Sequence, residues 1–390
     1  KRATMLQAVK VRLYPTVEQM EFLCGQFGAI RFVWNKALHA MSHLYRVHQK
    51  KLSAYHDLKK LLPIAKKSRK YHWLNNYDSI CLQQILINLD KAFKKFFDPK
   101  DKSRYPRFKK RVLYNKSYHC TGISVLENGI IIPKIVKNLG PIRARIHRKV
   151  VGELKSITVE KTSSGKYFAS ILFEDGQSFP EKPTQISASK VLGCDMGIAH
   201  LLIDSTGQKH DNPKFIKRVA RNLRKKQKSL SRKVKGSINR LKARRLVAQC
   251  HERTRNARQD FQHKLSKRLV DENQALGVET LKVKNMMKNR CLSKSIADAS
   301  WGLLIEKLSY KAQRMGVHLV KIDQWFASSK TCYFCQNKKI DLKLSERTWQ
   351  CSRCGTEHDR DITATINIKQ RTILELKAAG LSVSACGGLA

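Results

Sequence analysis

Residues 332 to 354 carry the pattern C-x2-C-x15-C-x2-C, formed by Cys332, Cys335, Cys351 and Cys354. No other stretch restricts the fold so tightly. Each C-x-x-C pair presents two sulfurs to one ion, and the loop between the pairs closes into a ribbon around it. A redox pair would need no second copy. Four thiolates fill a tetrahedral zinc shell and leave no open position for water, so the expected Zn2+ is structural. His358 lies just beyond and is surplus to a filled tetrahedron. The next residues, "HDRD" at 358 to 361, form a dense acidic group immediately after the expected metal knuckle.

That acidity stands out because the chain is strongly basic: 78 Lys and Arg against 30 Asp and Glu, a formal net charge of +48. Such self-repulsion is tolerated mainly when a polyanion neutralises it, and nucleic acid is the usual polyanion. Ribosome-associated and heparin-binding proteins share the property, so charge alone names a class of partner, not an activity. No run of about 18 apolar residues suggests a membrane span. The N-terminus lacks the apolar core of a secretory signal, and Met5 is a candidate natural start. Eleven cysteines, seven of them scattered singly, suit a reducing compartment better than a disulfide framework.

Along the chain, "AVKVRLYP" alternates apolar and basic residues and reads as a strand over 7–14. Thr16 and Gln19 have capping-box spacing, so a helix should follow directly. Leu82, Leu86, Leu89, Phe93 and Phe96 recur at helical intervals and form a core stripe. Residues 16–111 thus read as a helical domain closed by the basic loop "KSRYPRFKKR". Residues 112–183 are rich in short β segments and read as an antiparallel barrel completed by the 1–15 strand, with the helical domain inserted into it. After the linker "GQSFPEKPTQ", "VLGCDMGIAHLLID" is a strand, a tight turn and a second strand. Residues 213–270 then form a helical hairpin with 21 Lys or Arg against Glu252 and Asp260. Leu223, Leu230, Leu241 and Leu246 are its expected packing side, and its cations suit a nucleic-acid backbone. The tail 377–390 is expected to be disordered.

Three acids are placed unusually. Asp195 and Glu279 end the apolar segments "VLGCD" and "ALGVE", and Asp361 begins an expected helix. Acids on rigid elements, brought together from distant parts of a chain, are what a two-magnesium phosphodiesterase needs, because hard cations take oxygen ligands. Each acid read singly is equally compatible with a turn or an ion pair in so basic a chain.

The ordered motifs "CDMGI", a basic hairpin, "VETLKVKNMMKN" and "SSKTCYFC…CSRCGTEHDRDITATINI" resemble the TnpB family of transposon-encoded RNA-guided DNA nucleases. "VRLYPTVEQ", "GAIRFVWNKAL", "RYPRFKK", "HKLSKRLV" and "SYKAQRMGVHLV" extend the resemblance over nearly the whole chain. The resemblance implies a multidomain α+β fold. Its parts are an antiparallel β-barrel (wedge) interrupted by a helical recognition domain, then an RNase H-like (RuvC) α/β nuclease domain over 184–329 and 358–376, with a zinc ribbon inserted at 330–357. It maps the acidic triad, holding two Mg2+, onto Asp195, Glu279 and Asp361. Asp359 competes for the third place, but the family's Arg-Asp-x-Asn-Ala pattern aligns with Arg360 and Asp361.

The implied partners are a guide RNA from the transposon end and double-stranded target DNA, in a monomeric ribonucleoprotein of the prokaryotic cytoplasm or nucleoid. A short motif beside the target would be read by the wedge and recognition domains, with Tyr55, Gln83 and Gln84 as candidates, since Gln pairs bidentately with adenine. The chain departs from the family at Thr363, where Asn is usual, and at Thr280 and Thr365. These leave the metal ligands intact but put contacts near the active centre in doubt. The alternative is a nuclease-inactive RNA-guided regulator, against which the intact triad argues.

Overall fold

The computed structural model describes residues 4–111, 116–135, 139–343 and 345–384, in two compact units, Lys1–Ser178 and Phe179–Ala390. The wedge boundary expected at 112 lies outside the described residues.

In the first unit, β1 (Thr4–Tyr14) leads into α1 (Val17–His48). The capping box is formed, with the Gln19 N–H donating to Thr16 Oγ1 at 3.3 Å and the Thr16 N–H donating to Gln19 Oε1 at 3.0 Å. A π-helical turn (Ala54–Leu58), α2 (Lys59–Lys67) and α3 (Ser79–Phe97) follow. Helix α3 buries Leu82, Leu86 and Leu89, whereas Phe93 and Phe96 are half-buried. The chain then forms β2 (Lys116–Cys120), β3 (Ser124–Leu126), β4 (Gly129–Ile131), β5 (Ile142–Arg145), β6 (Glu153–Lys161) and β7 (Tyr167–Ser178).

Strand β1 is central in an antiparallel sheet of order β2-β6-β7-β1-β5-β4-β3. Alternation puts Val9, Val11 and Leu13 on its buried face. Among the described residues no pairing joins the edge strands β2 and β3, so the ladder is open where a closed barrel was expected. The segments β3, β4 and β5 are only three or four residues long, which limits how much edge they offer for closure.

The second unit contains β8 (Gln185–Ser187), β9 (Val191–Asp195), β10 (His200–Asp204) and β11 (Lys209–Asp211), then α4 (Phe215–Ser231) and α5 (Ile238–Glu272). Next come β12 (Ala275–Glu279), α6 (Val283–Met286), α7 (Ser293–Ala299), α8 (Trp301–Met315) and β13 (His318–Ile322). The chain closes with β14 (Thr348–Gln350), β15 (Glu357–Asp359), α9 (Arg360–Ala378) and β16 (Ser382–Ser384). The main sheet has the order β11-β10-β9-β12-β13. Its first three strands are antiparallel, and β9, β12 and β13 run parallel.

Two expectations are corrected here. Leu241 and Leu246 are half exposed and Leu223 and Leu230 only partly covered. The hairpin packs instead through Leu265, Leu269 and Val270 of α5, which join the core around Leu304 and Leu308 of α8. Farther along α5, Ala243 and Cys250 are buried while Leu241 and Leu246 stay half exposed, so the expected leucines are not on its packing face. The tail is also ordered in part: α9 runs to Ala378, and β16 pairs in parallel with β8. Residues 385–390 lie outside the described residues. No helix among the described residues is long and apolar enough to cross a membrane.

Helix α9 lies against β9 and β12 at two glycines. A Cβ at Gly193 would stand 2.2 Å from the carbonyl oxygen of Thr365, and one at Gly277 would stand 1.8 Å from Thr372 Oγ1. The sheet therefore accepts this helix only because both strands lack a side chain there. Replacing Gly193 by alanine should destabilise the unit by about 1–3 kcal/mol, the usual cost of overpacking. Chemical denaturation of G193A checks this, and an unchanged midpoint would show that α9 is less tightly seated.

Candidate functional site

Strands β9 and β12 read V-L-G-C-D and A-L-G-V-E, and they pair in parallel with Gly277 opposite Gly193 and Val278 opposite Cys194. The register carries Asp195 and Glu279 to the same end of adjacent strands. Asp361 enters from the first turn of α9. All three line one cleft of about 470 Å³, together with Ser328, Arg347 and Arg360.

Asp359, the competing acid, does a different job. Its carboxylate caps α9, accepting from the backbone N–H groups of Asp361 at 2.9 Å and Ile362 at 3.0 Å. A carboxylate at an N-cap is held there by the unpaired amides and the helix dipole. Asp361 is thereby left to face the cleft.

The electrostatics are those of a site short of positive charge. Burial pushes the Asp195 carboxyl up to about 7, and the neighbouring Glu279 and Asp361 charges add to the rise. The Met196 N–H and the Arg360 charge oppose it. Burial also raises Glu279, against the pull of the Ser328 hydroxyl that donates to it. A buried carboxyl raised by burial and by two neighbouring acids is best relieved by a cation between them. An all-oxygen donor set fits a hard divalent ion.

The supporting contacts come from residues to which the sequence pattern gave no role. Arg347 donates to Asp361 Oδ1 at 3.2 Å. The buried Asn367 amide on α9 donates to the carbonyls of Ser328 at 2.7 Å and Thr331 at 2.6 Å. One side chain thus ties the segment that holds Glu279 to the helix that carries Asp361. Ser328 and Asn367 fall inside the motifs "SSKTCYFC" and "HDRDITATINI", but those motifs assign no role to them or to Arg347, because each role is defined by a partner 14 to 49 residues away.

The four sulfurs of Cys332, Cys335, Cys351 and Cys354 lie within 4.8 Å of one another. A cluster this tight can hold a zinc ion. Its small core consists of Leu342, Trp349, Cys332 and Cys351, with Cys335 packed against them. Strands β14 and β15 pair antiparallel beside it, and β15 runs directly into α9. His358 is more than surplus. Its Nε2 lies 3.2 Å from Cys332 Sγ, its Nδ1 lies 3.1 Å from Thr363 Oγ1, and its ring stacks on Trp349. Thr363, where the chain departs from the family, thus joins the first turn of α9 to the thiol cluster.

Tyr55 lies on the π-helical turn of the first unit, 40% exposed, with Lys59 over its ring. Gln83 and Gln84 are half-buried on α3, and Gln84 Nε2 donates to Asn88 at 3.2 Å. Ser53, beside the turn, bonds Asp90 of α3 at 2.9 Å. No hydrogen bond or ring contact joins Tyr55 to either glutamine among the described residues.

Residues 146–290 match a family model described as "Probable transposase", 301–368 one described as "Cas12f1-like, TNB domain", and 5–50 one described as "Helix-turn-helix domain". The structure shows 5–50 as β1 followed by the single helix α1. A Streptomyces pristinaespiralis protein named "Putative RNA-guided DNA endonuclease" is 40% identical over 98% of this chain and 91% of its own length. The Escherichia coli K12 protein "Putative RNA-guided DNA endonuclease InsQ" is 31% identical over 98% of this chain and 94% of its own. Among solved structures, a Cas12f1–sgRNA–target DNA complex aligns at 13% identity and a TM-score of 0.53, over 94% of this chain and 99% of that one. That likeness is one of fold.

Proposed function

This chain belongs to the TnpB family of transposon-encoded RNA-guided DNA endonucleases, and from that membership we propose that it cleaves DNA at the cleft formed by Asp195, Glu279 and Asp361. The observation that supports this most is the meeting of three distant acids at one cleft, in a chain whose relatives over its whole length are named for this activity. The order β11-β10-β9-β12-β13, three antiparallel strands followed by parallel ones, supports reading the second unit as an RNase H-like (RuvC) domain.

Asp195, Glu279 and Asp361 would hold two Mg2+ ions. The ions, when bound, supply Lewis acidity toward the scissile phosphate, the attacking water and the leaving 3′ oxygen. The protein's own part is placement. The Ser328 hydroxyl holds Glu279, and Asn367 holds the Ser328 segment against α9. Arg347 braces Asp361 and keeps two-thirds of its side chain exposed, so its other N–H groups can meet a phosphate. The ribbon, with Zn2+ on Cys332, Cys335, Cys351 and Cys354, sets where β15 delivers α9.

The guide is an RNA from the transposon end, and a monomeric protein pairs it with double-stranded target DNA. Tyr55, Gln83 and Gln84 are the residues proposed to read the motif beside the target, in a wedge and recognition part formed by the first unit. A nuclease-inactive regulator is left without support by the complete carboxylate set and the endonuclease relatives.

The test is to purify the protein without nuclease treatment and sequence the RNA that accompanies it. The expected result is one species with a constant structured part and a variable end, and magnesium-dependent cleavage of duplexes matched to that end. A mixture that follows cellular RNA abundance, with no cleavage of matched duplexes, would overturn the reading.

A further inference from the structure

A second cavity of the same unit, about 680 Å³, shares Ala199 with the carboxylate cleft. The two are tied together locally: Asn212, which lines the second, donates to the carbonyl of Ile198, which lines the first, at 2.9 Å. Arg218, Lys264 and Arg268 line the second cavity. The one acid in its lining, Asp211, already pairs with His200 at 2.8 Å.

Lys264 pairs with the exposed Asp260 at 2.8 Å, whereas Arg268 is held through buried groups. Its Nη2 lies 2.8 Å from His210 Nδ1, and His210 Nε2 lies 2.9 Å from Asp204 Oδ2. A guanidinium can only donate, so Nδ1 accepts and the imidazole proton sits on Nε2, directed to Asp204. Both members of that pair are buried, His210 at 7% and Asp204 at 3% exposure. Asp204 also accepts from the backbone N–H groups of Thr206 at 3.0 Å and Gln208 at 3.2 Å. A buried carboxylate is costly unless it is paired and hydrogen-bonded; here Asp204 closes the β10–β11 turn and, through His210, orients an exposed guanidinium. An arginine held in this way suits an oxyanion, which takes two parallel N–H bonds from the fork.

We propose that this cavity is a phosphodiester subsite for the DNA strand being cut, with Arg268 as its anchor and Lys264 and Arg218 flanking. The inference rests on the endonuclease reading and adds a substrate contact to it. The subsite would hold the strand's backbone beside the cleft and carry no base preference.

The experiment is single-turnover cleavage of a duplex matched to the co-purified RNA, over a range of protein and salt concentrations. R268A should raise the protein concentration for half-maximal rate about tenfold, leave the maximal rate within about twofold, and lower the salt slope by about one. Guide-RNA binding should be unchanged. H210A should act in the same direction, and H210Q, which keeps a donor and an acceptor, should recover most of the loss. Arg268 is exposed, so R268A carries the test alone if H210A fails to fold. An unchanged half-maximal concentration or salt slope in R268A, with the native protein cutting normally, overturns the subsite and leaves the endonuclease reading standing. Equal loss of RNA affinity would make it a guide-RNA surface instead. A native protein that binds matched duplex without cutting it removes both readings.

Discussion

Replacing Asp195 by asparagine should end cleavage and, in the metal-free protein, raise the melting temperature. The first effect should exceed the roughly 100-fold loss that follows when a group merely orienting a metal ligand is removed. The second follows from linkage. Asp195 is raised to about 7 in the folded chain, mainly by burial and then by the Glu279 and Asp361 charges. Between the ordinary carboxylate range near 4 and about 7, the folded state therefore holds more protons than the unfolded one. Stability is lost as pH rises through that window, and at pH 8 the whole cost is present. Asparagine keeps the shape and removes the charge, so the gain should appear at pH 8 and vanish near pH 4. Thermal melts in chelator at the two pH values, beside a magnesium-dependent cleavage assay, check both halves. Guide-RNA binding should be untouched, because D195N removes a buried negative charge from the cleft and no cation from the basic surface of the chain. Residual cutting by D195N would remove Asp195 from the catalytic set, and equal melting temperatures at pH 8 would show that its charge is already compensated.

Substituting Cys351 by serine should unfold the ribbon. Structural zinc contributes on the order of 10–16 kcal/mol to zinc-finger folds. The core here, built on Leu342, Trp349 and the cysteines themselves, is too small to replace it. Zinc content should fall from one ion per chain to none, and limited proteolysis should cut within 331–357. The core around Leu192, Leu276 and Trp301 of the same unit should persist, since it shares no residue with the ribbon. Cleavage should fall as well, because β15 leads straight into α9 and His358 links Cys332 to Thr363 on that helix. Full zinc content in C351S would refute the four-thiolate site. Normal cleavage by a zinc-free C351S would show that α9 holds Asp361 without the ribbon.

Much of this molecule was legible because some signals are local. The thiol pattern is a spacing rule, and the Thr16–Gln19 capping box closes within one helical turn. The strands "VLGCD" and "ALGVE" announce themselves as apolar runs ending in an acid. Their shared glycine records a requirement of packing, the close approach of α9, that a sequence pattern displays without explaining. The hairpin's helices followed from composition and periodicity. Its packing side did not, because burial depends on which face of each helix its neighbours cover.

By itself the sequence determined the partner class, the four-sulfur cluster, the strand and helix types, and which acids stood on rigid elements. Only the tertiary structure decided how those acids are held. It made Asp359 a helix cap and turned Asp361 to the cleft, and it brought Arg347, Ser328 and Asn367 to their places. It also recruited Ser382–Ser384 to pair with Gln185–Ser187, nearly two hundred residues earlier. The physical reason is the same in each case. A spacing rule acts between neighbours and is written in the local pattern, whereas a hydrogen bond between distant segments exists only after the core has brought them together, and no local pattern marks its two ends.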